Sequence, residues 1–378
     1  MSTALSGLCN QPPRVNCSCT VRVCGKASSA HSEMIGGGVM WERVEEIACS
    51  ARRVDALRHH GVELVAARAW RRRGLAVPDE LHVDERVAAI RAVGALVVLK
   101  RVRAAYDGTL ILMKGPEAGA YYPDRSLRPF CDLDFLVDNP AAAHRALMAS
   151  GFAEIGDSVR YEGTHHLRPL AWPELPLVIE LHREPNGPVW QTPPDTSELL
   201  ELTRPSATGV IGLSALIPAA HGVLLAAHSW AHAPLRRLLD LIDVMVVLEG
   251  EDDRRLARDL AYRWGLGRVW RTTISAADAL LGRGEMVPAL RVWARHLAAV
   301  RERTVFETHL TRWAGPVCGL PGRRMRALGS SARIFTDAAR PRGDERWTDA
   351  LRRTALAIVD APRPQSEHDL TKEARTRR

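Results

Sequence analysis

The block of short apolar segments between residues 110 and 182 most limits how this chain can fold. Leu110–Met113 is an apolar run that closes on Lys114-Gly115, and residues 132–138 alternate acidic and apolar side chains. Runs of this length bounded by turn residues are typical of β-strands. Further strands are predicted at 152–155, 159–161, 165–170 and 175–182, and a helix at 140–150, which Asn139-Pro140 opens and Gly151 ends. We therefore expect the block to form an α+β unit of about 100 residues.

Helical periodicity marks the chain on both sides of this block. Before it, apolar residues recur at three- and four-residue steps from Trp41 to Leu57, and helices are predicted at 62–73 and 83–106. The last of these helices carries an apolar face formed by Val87, Ile90, Val93, Leu96, Val97 and Leu99. After the block, helices are predicted at 196–203, 213–230, 235–248, 254–264, 269–281, 287–300, 303–313, 323–338 and 345–359. The expected fold class is α+β, with a sheet-containing core flanked by two helical regions.

Both ends of the chain are expected to be disordered, because residues 1–39 and 361–378 have no hydrophobic period. Between them lie an N-terminal helical region at 40–106, a core at 107–205 and a C-terminal helical domain at 206–360. The leader carries Cys9, Cys17, Cys19 and Cys24. A zinc site completed by His31 is one interpretation, but the leader has no C-x-x-C pair, and its Ser, Gly and Pro content favours disorder. The folded chain could then start at Met34 or Met40.

Charge and composition narrow the class of partner. The formal net charge is +8, and a basic balance attracts phosphates, nucleic acid or anionic membrane without selecting among them. Nucleic-acid binding has no zinc-finger or helix-turn-helix pattern to support it, and aromatic residues are only 5%, which leaves little stacking capacity. No apolar run approaches the ~20 residues that cross a bilayer, and the N-terminus lacks the pattern of a secretory signal. We therefore predict a cytoplasmic protein without a membrane partner.

Asp132-Leu133-Asp134 is the tripeptide most informative about chemistry. Side chains two apart on a strand share a face, so both carboxylates project together, about 6–7 Å apart. That spacing lets them bridge hard divalent cations through oxygen ligands. Glu180 lies in a second apolar strand that could pair with the first, and three acids on adjacent strands suit two-metal phosphoryl transfer. Two surface acids on an edge strand are the alternative for an isolated D-x-D, but the order of the surrounding segments favours a site.

These segments, in this order, resemble a known family. The matching motifs are Leu112-Met113-Lys114-Gly115, Tyr122-Pro123-Asp124, Leu127-Arg128-Pro129, Asp132–Val137, His165–Leu170 and Ile179–His182, followed by His228, His232 and Arg236–Asp240. Over residues 110–245 the chain resembles the uncharacterised nucleotidyltransferase family of the DNA-polymerase-β-like nucleotidyltransferase superfamily.

The resemblance implies a small mixed β-sheet core and a metal-dependent transfer of an NMP group from an NTP. The acceptor, a small molecule, a peptide, a protein or RNA, stays open. Catalytic Asp132 and Asp134 would hold Mg²⁺ or Mn²⁺, with Glu180 as the third carboxylate. The superfamily places Gly-Ser after the first strand, whereas this chain has Lys114-Gly115. Lys114 is a suitable phosphate ligand as a point charge, so ATP recognition is expected to differ here.

Several other polar residues are candidates for the nucleotide site or its lining. Arg128 precedes Asp132 in a loop and suits either a triphosphate oxygen or a solvated surface position. Adjacent strand residues face opposite sides, so at most one of His165 and His166 is expected to point to the site, and we choose His166. His182 shares a face with Glu180 and is therefore a better candidate for supporting the acids.

His228, His232, Arg236 and Asp240 fall at steps of four residues, which places them on one helical face if the helix continues past Pro234. A cleft lining and a buried structural network are the two interpretations of this stripe, and we favour the cleft. The sequence therefore favours a nucleotidyltransferase. A non-catalytic nucleotide-binding or regulatory protein with the same fold is the alternative.

Overall fold

The computed structural model describes residues 35–156, 165–188, 191–248, 250–282, 284, 294–304, 307–308, 341 and 345–352. Its helices are α1 (Ile35–Cys49), α2 (Val54–His60), α3 (Glu63–Arg72), α4 (Asp79–Ala105), α5 (Pro116–Gly119), α6 (Pro140–Ala149), α7 (Thr196–Glu201), α8 (Pro218–His232), α9 (Leu238–Val247), α10 (Glu251–Arg263), α11 (Gly267–Leu281) and α12 (Arg295–Ala298). Its strands are β1 (Leu110–Leu112), β2 (Asp132–Val137), β3 (Ala153–Glu154), β4 (Leu170–Trp172), β5 (Leu175–His182), β6 (Thr203–Pro205) and β7 (Ser214–Leu216). The predicted α+β class is confirmed.

The strands form one mixed sheet in the order β3-β4-β5-β2-β1-β7-β6. β2 runs parallel to β5 and β1 runs parallel to β7, while the other neighbours are antiparallel. β2 has strands on both sides and is buried from Leu133 to Val137. A continuous apolar run is what such a central strand requires. The strand that carries the two aspartates is thus held rigidly in the middle of the sheet.

Helices cover both faces of the sheet. Leu133 and Phe135 point to one face and pack in a core cluster with Ala95, Val98 and Leu99 of α4, as the alternation along β2 predicts. On the other face, residues of β1, β2 and β7 pack with α8 in a second cluster, which continues into α9, α10 and α11. A third cluster joins α1, α2 and α3 to α9 and α11. The aspartates of β2 therefore lie on the face that α8 covers.

The structure departs from the predicted elements at several boundaries. The periodic segment from Trp41 to Leu57 divides into α1 and α2 between residues 49 and 54, and α1 begins at Ile35, within the expected leader. The helix predicted from Leu213 begins only at Pro218, because Ser214–Leu216 is the strand that pairs with β1. Proline is favoured in the first turn of a helix and excluded from its interior, which explains the later start. β4 covers Leu170–Trp172 instead of 165–170.

Some predictions concern segments beyond the described residues. These are the cysteine-bearing leader with Cys9, Cys17, Cys19, Cys24 and His31, the strand at 159–161, most of the helices at 287–300, 303–313 and 323–338, the end of the helix at 345–359, and the tail at 361–378.

The apolar face predicted on α4 is on the outside of the molecule. Of its six residues, Leu99 is buried, whereas Val87, Ile90, Val93, Leu96 and Val97 are exposed. The helix packs through its opposite side, where Leu81, Ala95, Val98, Leu99 and Val102 are buried. α4 is thus apolar on two sides. Neither it nor any other helix in the described part of the chain is long and apolar enough to cross a bilayer.

Candidate active site

The parallel pairing of β2 with β5 brings the three predicted carboxylates together. In its register, Asp134 lies beside Glu180, and Asp132 lies beside Val178. Asp132, Asp134 and Glu180 alternate with buried apolar residues, so all three side chains project from the same face. Asp134 and Glu180, which are distant in sequence, thereby share one position in the sheet. The acidic centre follows from the strand register and not from local sequence.

Asp134 is the most buried of the acids and has two basic neighbours. Its side chain is 1% exposed, and Lys114 Nζ lies 3.1 Å from its Oδ2 atom. His182 Nε2 donates a hydrogen bond to Asp134 Oδ1 at 3.0 Å and lies 3.5 Å from Glu180 Oε2. A buried carboxylate needs such partners, because desolvation of an unpaired charge costs several kcal/mol. Lys114 and His182 thus hold Asp134 in its ionised form.

The two aspartates have opposite electrostatic surroundings. Burial, followed by the charge of Asp134, raises the pKa of Asp132 to about 6. Burial alone would also raise the pKa of Asp134, but Lys114 and the hydrogen bond from His182 outweigh it and hold that pKa well below the usual range. For His182, burial lowers the pKa, and the hydrogen bonds to Asp134 and Glu180 outweigh that effect and raise it. Asp132 is therefore the acid whose negative charge is least compensated.

The turn after β1 sets the position of Lys114. Gly115 has φ of 60° and ψ of −121°, a left-handed conformation that favours glycine. A Cβ atom there would lie 3.2 Å from the backbone oxygen of Asp132, which is tighter than ordinary contact. The absence of a side chain lets the turn approach the start of β2. This close approach brings the Lys114 ammonium to the aspartates.

Arg128 is buried behind this turn and is paired with an acid from α9. Its Nε and Nη2 atoms donate to Asp243 at 2.8 and 2.7 Å, and its Nη1 atom donates to the Gly115 carbonyl at 3.3 Å. Tyr122 also donates to Asp243, at 2.7 Å. Arg128 is 6% exposed, so the solvated surface position considered from the sequence is wrong. The hydrogen bond from its guanidinium to the Gly115 carbonyl stabilises the Lys114-Gly115 turn. Its prediction as a direct nucleotide ligand remains untested.

A second buried acid, Glu117, anchors the short helix α5. Its side chain is fully buried, accepts a hydrogen bond from Ser206 Oγ at 2.6 Å and two from the amide of Ala207, and pairs with Arg204 at 3.2 Å. Sequence reasoning missed Glu117, because its partners lie about 90 residues away and leave no local pattern.

The histidines of α8 approach the site from the helix that covers it. Lys114 Nζ donates to His228 Nε2 at 3.1 Å, so His228 joins the network of Asp134. His221, seven residues earlier, donates from Nε2 to the carbonyl of Met113 at 2.6 Å and is buried. Sequence reasoning missed His221, although a seven-residue separation places it on the helical face of His228. Through these two histidines, α8 therefore contacts Met113, which precedes the turn, and Lys114, which begins it.

The predicted stripe on one helix does not continue beyond α8. The helix ends at His232, whose side chain lies outside the described part of the structure, and the next helix begins at Leu238. Asp240 sits in the first turn of α9, where it accepts from the backbone and side chain of Arg237. It stabilises the start of α9 as a capping residue. Among the described contacts of the stripe, only that of His228 reaches Lys114.

Both histidines of the His165-His166 pair lie beside His182. Their ring centroids are 5.2 and 5.4 Å from that of His182. The expectation that strand alternation would direct only one of them to this place is wrong, because His166 forms an isolated bridge with His182 and not part of a regular strand. Burial lowers the pKa of His165 to about 4. Three imidazole rings therefore border the acidic centre.

Comparison with known families agrees with this arrangement. A family model described as an uncharacterised nucleotidyltransferase matches residues 51–282, which is more than half of the chain. The chain belongs to this nucleotidyltransferase family. The resemblance found in the sequence is thereby confirmed. A search of curated proteins and a search of solved structures gave no significant match.

The donor atoms of this nucleotidyltransferase family member suit a hard divalent cation. Asp134, Glu180 and His182 each offer a ligand atom, and these atoms lie within 4.8 Å of one another. Asp132 adds a partly buried carboxylate on the same face. Carboxylate oxygens are the ligands that Mg²⁺ and Mn²⁺ prefer. The residues present fit the metal chemistry that the family implies.

A cavity lies beside His165, near the acidic centre of this nucleotidyltransferase family member. It has a volume of about 300 Å³ and is bordered by His165, by Pro185, Pro188, Pro193 and Pro194, and by Leu224 of α8. His165 also contacts His182, which in turn donates to Asp134, so these two imidazoles connect the cavity to the carboxylates. Its size is at the lower end of the range for small-molecule sites.

Proposed function

We propose that the protein is a metal-dependent nucleotidyltransferase that moves an NMP group from an NTP to an acceptor. The observation that carries the proposal is the convergence of Asp132, Asp134 and Glu180 on the paired strands β2 and β5. Membership of the nucleotidyltransferase family supports the same kind of reaction. ATP is the proposed nucleotide, and the acceptor is a small molecule, a peptide, a protein or RNA.

Each residue of the site has a proposed role. Asp132, Asp134 and Glu180 would hold Mg²⁺ or Mn²⁺, which supplies charge stabilisation for the α-phosphate and the leaving pyrophosphate. Lys114, with Gly115 shaping its turn, would neutralise phosphate oxygens as a point charge. His182 would keep Asp134 oriented through its 3.0 Å hydrogen bond.

The proposed reaction makes and breaks one bond at the α-phosphorus. An acceptor oxygen attacks that phosphorus, and the bond to the oxygen that bridges the α- and β-phosphates breaks, so pyrophosphate leaves. Glu180 is 19% exposed and would accept the acceptor's proton. The cavity beside His165 offers space for part of the acceptor next to these groups.

One observation favours a non-catalytic alternative. Lys114 Nζ lies 3.1 Å from Asp134, where it already balances part of the acidic charge without a metal. A protein that bound nucleotide through Lys114 alone could act as a nucleotide sensor with the same fold. The two functions differ in whether pyrophosphate is released.

The experiment that separates them uses each α-labelled NTP with Mg²⁺ or Mn²⁺ and extract fractions as acceptors. We expect label transfer and pyrophosphate release by the wild type and a loss of at least about 100-fold in Asp134→Asn, the order of magnitude that removal of one preorganised electrostatic contact costs. Asp107→Asn is the matched control, because it removes the same charge from a fully exposed side chain. Nucleotide binding without pyrophosphate release in any fraction would favour the sensor. Equal transfer by wild type and Asp134→Asn would contradict the metal assignment.

A further inference from the structure

The exposed apolar stripe on α4 is unusual for a helix that is already packed on its other side. Val83, Val87, Ile90, Val93 and Val97 are 49%, 37%, 64%, 69% and 46% exposed. They recur at steps of three and four residues, so they form one continuous face about 21 Å long at 1.5 Å per residue. None of the described elements covers it. Contiguous exposed apolar faces of this kind mark interaction sites.

The order of residues along the stripe is symmetric about Ile90. Val87 and Val93 lie three residues before and after it, and Val83 and Val97 lie seven residues before and after it. A second α4 placed antiparallel with a two-fold axis at Ile90 therefore sets Val83 against Val97, and Val87 against Val93. Self-complementarity of this type is what a two-fold interface between identical chains requires.

The charges at the two ends of α4 have the same symmetry with opposite sign. Asp79 and Glu80 lie eleven and ten residues before Ile90, and Lys100 and Arg101 lie ten and eleven residues after it. In the antiparallel arrangement, the acidic end of each helix meets the basic end of the other. A parallel arrangement would bring like charges together, which is unfavourable. The charges thus select both the partner and its direction.

We propose that this protein forms a symmetric dimer in which the α4 helices of two copies pack antiparallel about Ile90. An unrelated partner would need neither the symmetric spacing nor the reversed charges. The stripe faces away from the sheet, and α4 packs on the sheet face opposite Asp132 and Asp134. The dimer therefore leaves both acidic centres accessible. This inference does not depend on the proposed catalytic activity.

The first test compares the molar mass of the full-length chain with that of Ile90→Glu by sedimentation equilibrium. The wild type should be a dimer at micromolar concentration, and Ile90→Glu should raise the dissociation constant at least about tenfold, because two like charges meet at the axis. Leu256→Glu is the control, since Leu256 is also exposed, at 42%, but lies on α10. Circular dichroism checks that each variant is folded.

The second test exchanges the charges. Lys100→Glu and Glu80→Lys should each weaken self-association, because each places like charges at both ends of the interface. Mixing the two variants should restore a dimer, since every end then has an opposite charge. A monomeric wild type would overturn the proposal and would indicate that another part of the chain or another protein covers the stripe. Dimers that are insensitive to Ile90→Glu, or mixing without restoration, would overturn it as well.

Discussion

Asp132 and Asp134 are two residues apart, yet their surroundings shift the pKa values of their carboxyls in opposite directions. Asp134 has a cation 3.1 Å away and a histidine hydrogen bond at 3.0 Å. For Asp132, burial and the charge of its neighbour dominate, and its pKa rises to about 6. Asp134 is a structural partner of Lys114 and His182 as well as a candidate metal ligand. Asp132 carries charge that Lys114 and Arg128 compensate only in part.

The two asparagine variants should therefore differ in stability. Asp132→Asn removes an unfavourable buried charge and should raise the free energy of unfolding by about 1–3 kcal/mol. Asp134→Asn leaves Lys114 and His182 without their acid and should lower it by about 3 kcal/mol. Thermal unfolding at pH 7 without divalent metal measures both. Equal shifts in the same direction would show that the surroundings of the two acids do not differ as described. Both variants should lose transfer activity.

The turn between β1 and α5 is an element whose geometry depends on residues far along the chain. Arg128 reaches the Gly115 carbonyl while its other donors are bound by Asp243 of α9. The side of the turn that bears Lys114 faces the acids, and the other side is held through Arg128, whose acid Asp243 lies 115 residues after it in sequence. The position of Lys114 is thus coupled to the packing of α9.

Asp243→Asn tests this coupling. The change leaves the buried Arg128 charge without its acid, so the free energy of unfolding should fall by about 3–5 kcal/mol. Nucleotide transfer should also fall, because the turn that carries Lys114 loses its support. The control is Asp278→Asn, whose pair with Arg254 is partly exposed and should cost at most about 1 kcal/mol. Urea unfolding and the KM for nucleotide measure the two effects. An unchanged KM in a folded Asp243→Asn protein would show that the Arg128–Asp243 pair does not control the position of Lys114.

The elements that carry the acids could be predicted from sequence, because β2 and β5 have six and eight residues, and apolar side chains surround their acids. β6 and β7 could not, since each has three residues and neither lies in an all-apolar run such as the one that marks β1. The networks of Glu117 and Asp243 were also missed, because their partners are distant in sequence and no alternation or helical step marks them. The α4 stripe was seen, but an apolar face does not tell whether the core or a partner covers it.

At the scale of the whole molecule, two core clusters join the sheet to its helical layers, and a third joins the N-terminal helices to α9 and α11. Buried polar groups lie where these layers meet. His60 is fully buried between α2 and the start of α9, where its Nδ1 atom accepts from the Leu238 amide at 3.3 Å and its Nε2 atom donates to the Arg301 carbonyl at 2.8 Å. Both ring nitrogens are in use only in the neutral imidazole. The contact between these layers therefore requires an uncharged histidine.

Stability should consequently depend on pH through His60. Burial lowers its pKa from 6.5 to about 3, so between these values the unfolded chain binds a proton that the folded protein does not. The free energy of unfolding therefore decreases as the pH falls below 6.5, by roughly 1.4 kcal/mol per pH unit. Burial raises the pKa of Glu63 to about 7, so protonation of Glu63 increases the free energy of unfolding as the pH falls from 7 to 4.5.

The variant His60→Asn separates the pH-dependent contribution of His60 from that of Glu63. It should be about 1–3 kcal/mol less stable than wild type at pH 7, because it loses hydrogen bonds and packing. The difference should shrink as the pH falls towards 4.5, since the variant has no imidazole to protonate while Glu63 is unchanged. Urea unfolding of both proteins across this range is the measurement. A constant difference would mean that His60 does not carry the dependence.

The ion pair between Lys114 and Asp134 has a consequence for how the chain comes into being. A newly synthesised polypeptide must bring three carboxylates together before any cation or nucleotide has a site to occupy. Because Lys114 arrives with β1, ahead of both acidic strands along the chain, a counter-charge is in place when those strands pair. We therefore expect the acidic strands to pair without a bound cation. The same lysine lets the folded protein tolerate an empty acidic centre, with the remaining cost concentrated on Asp132.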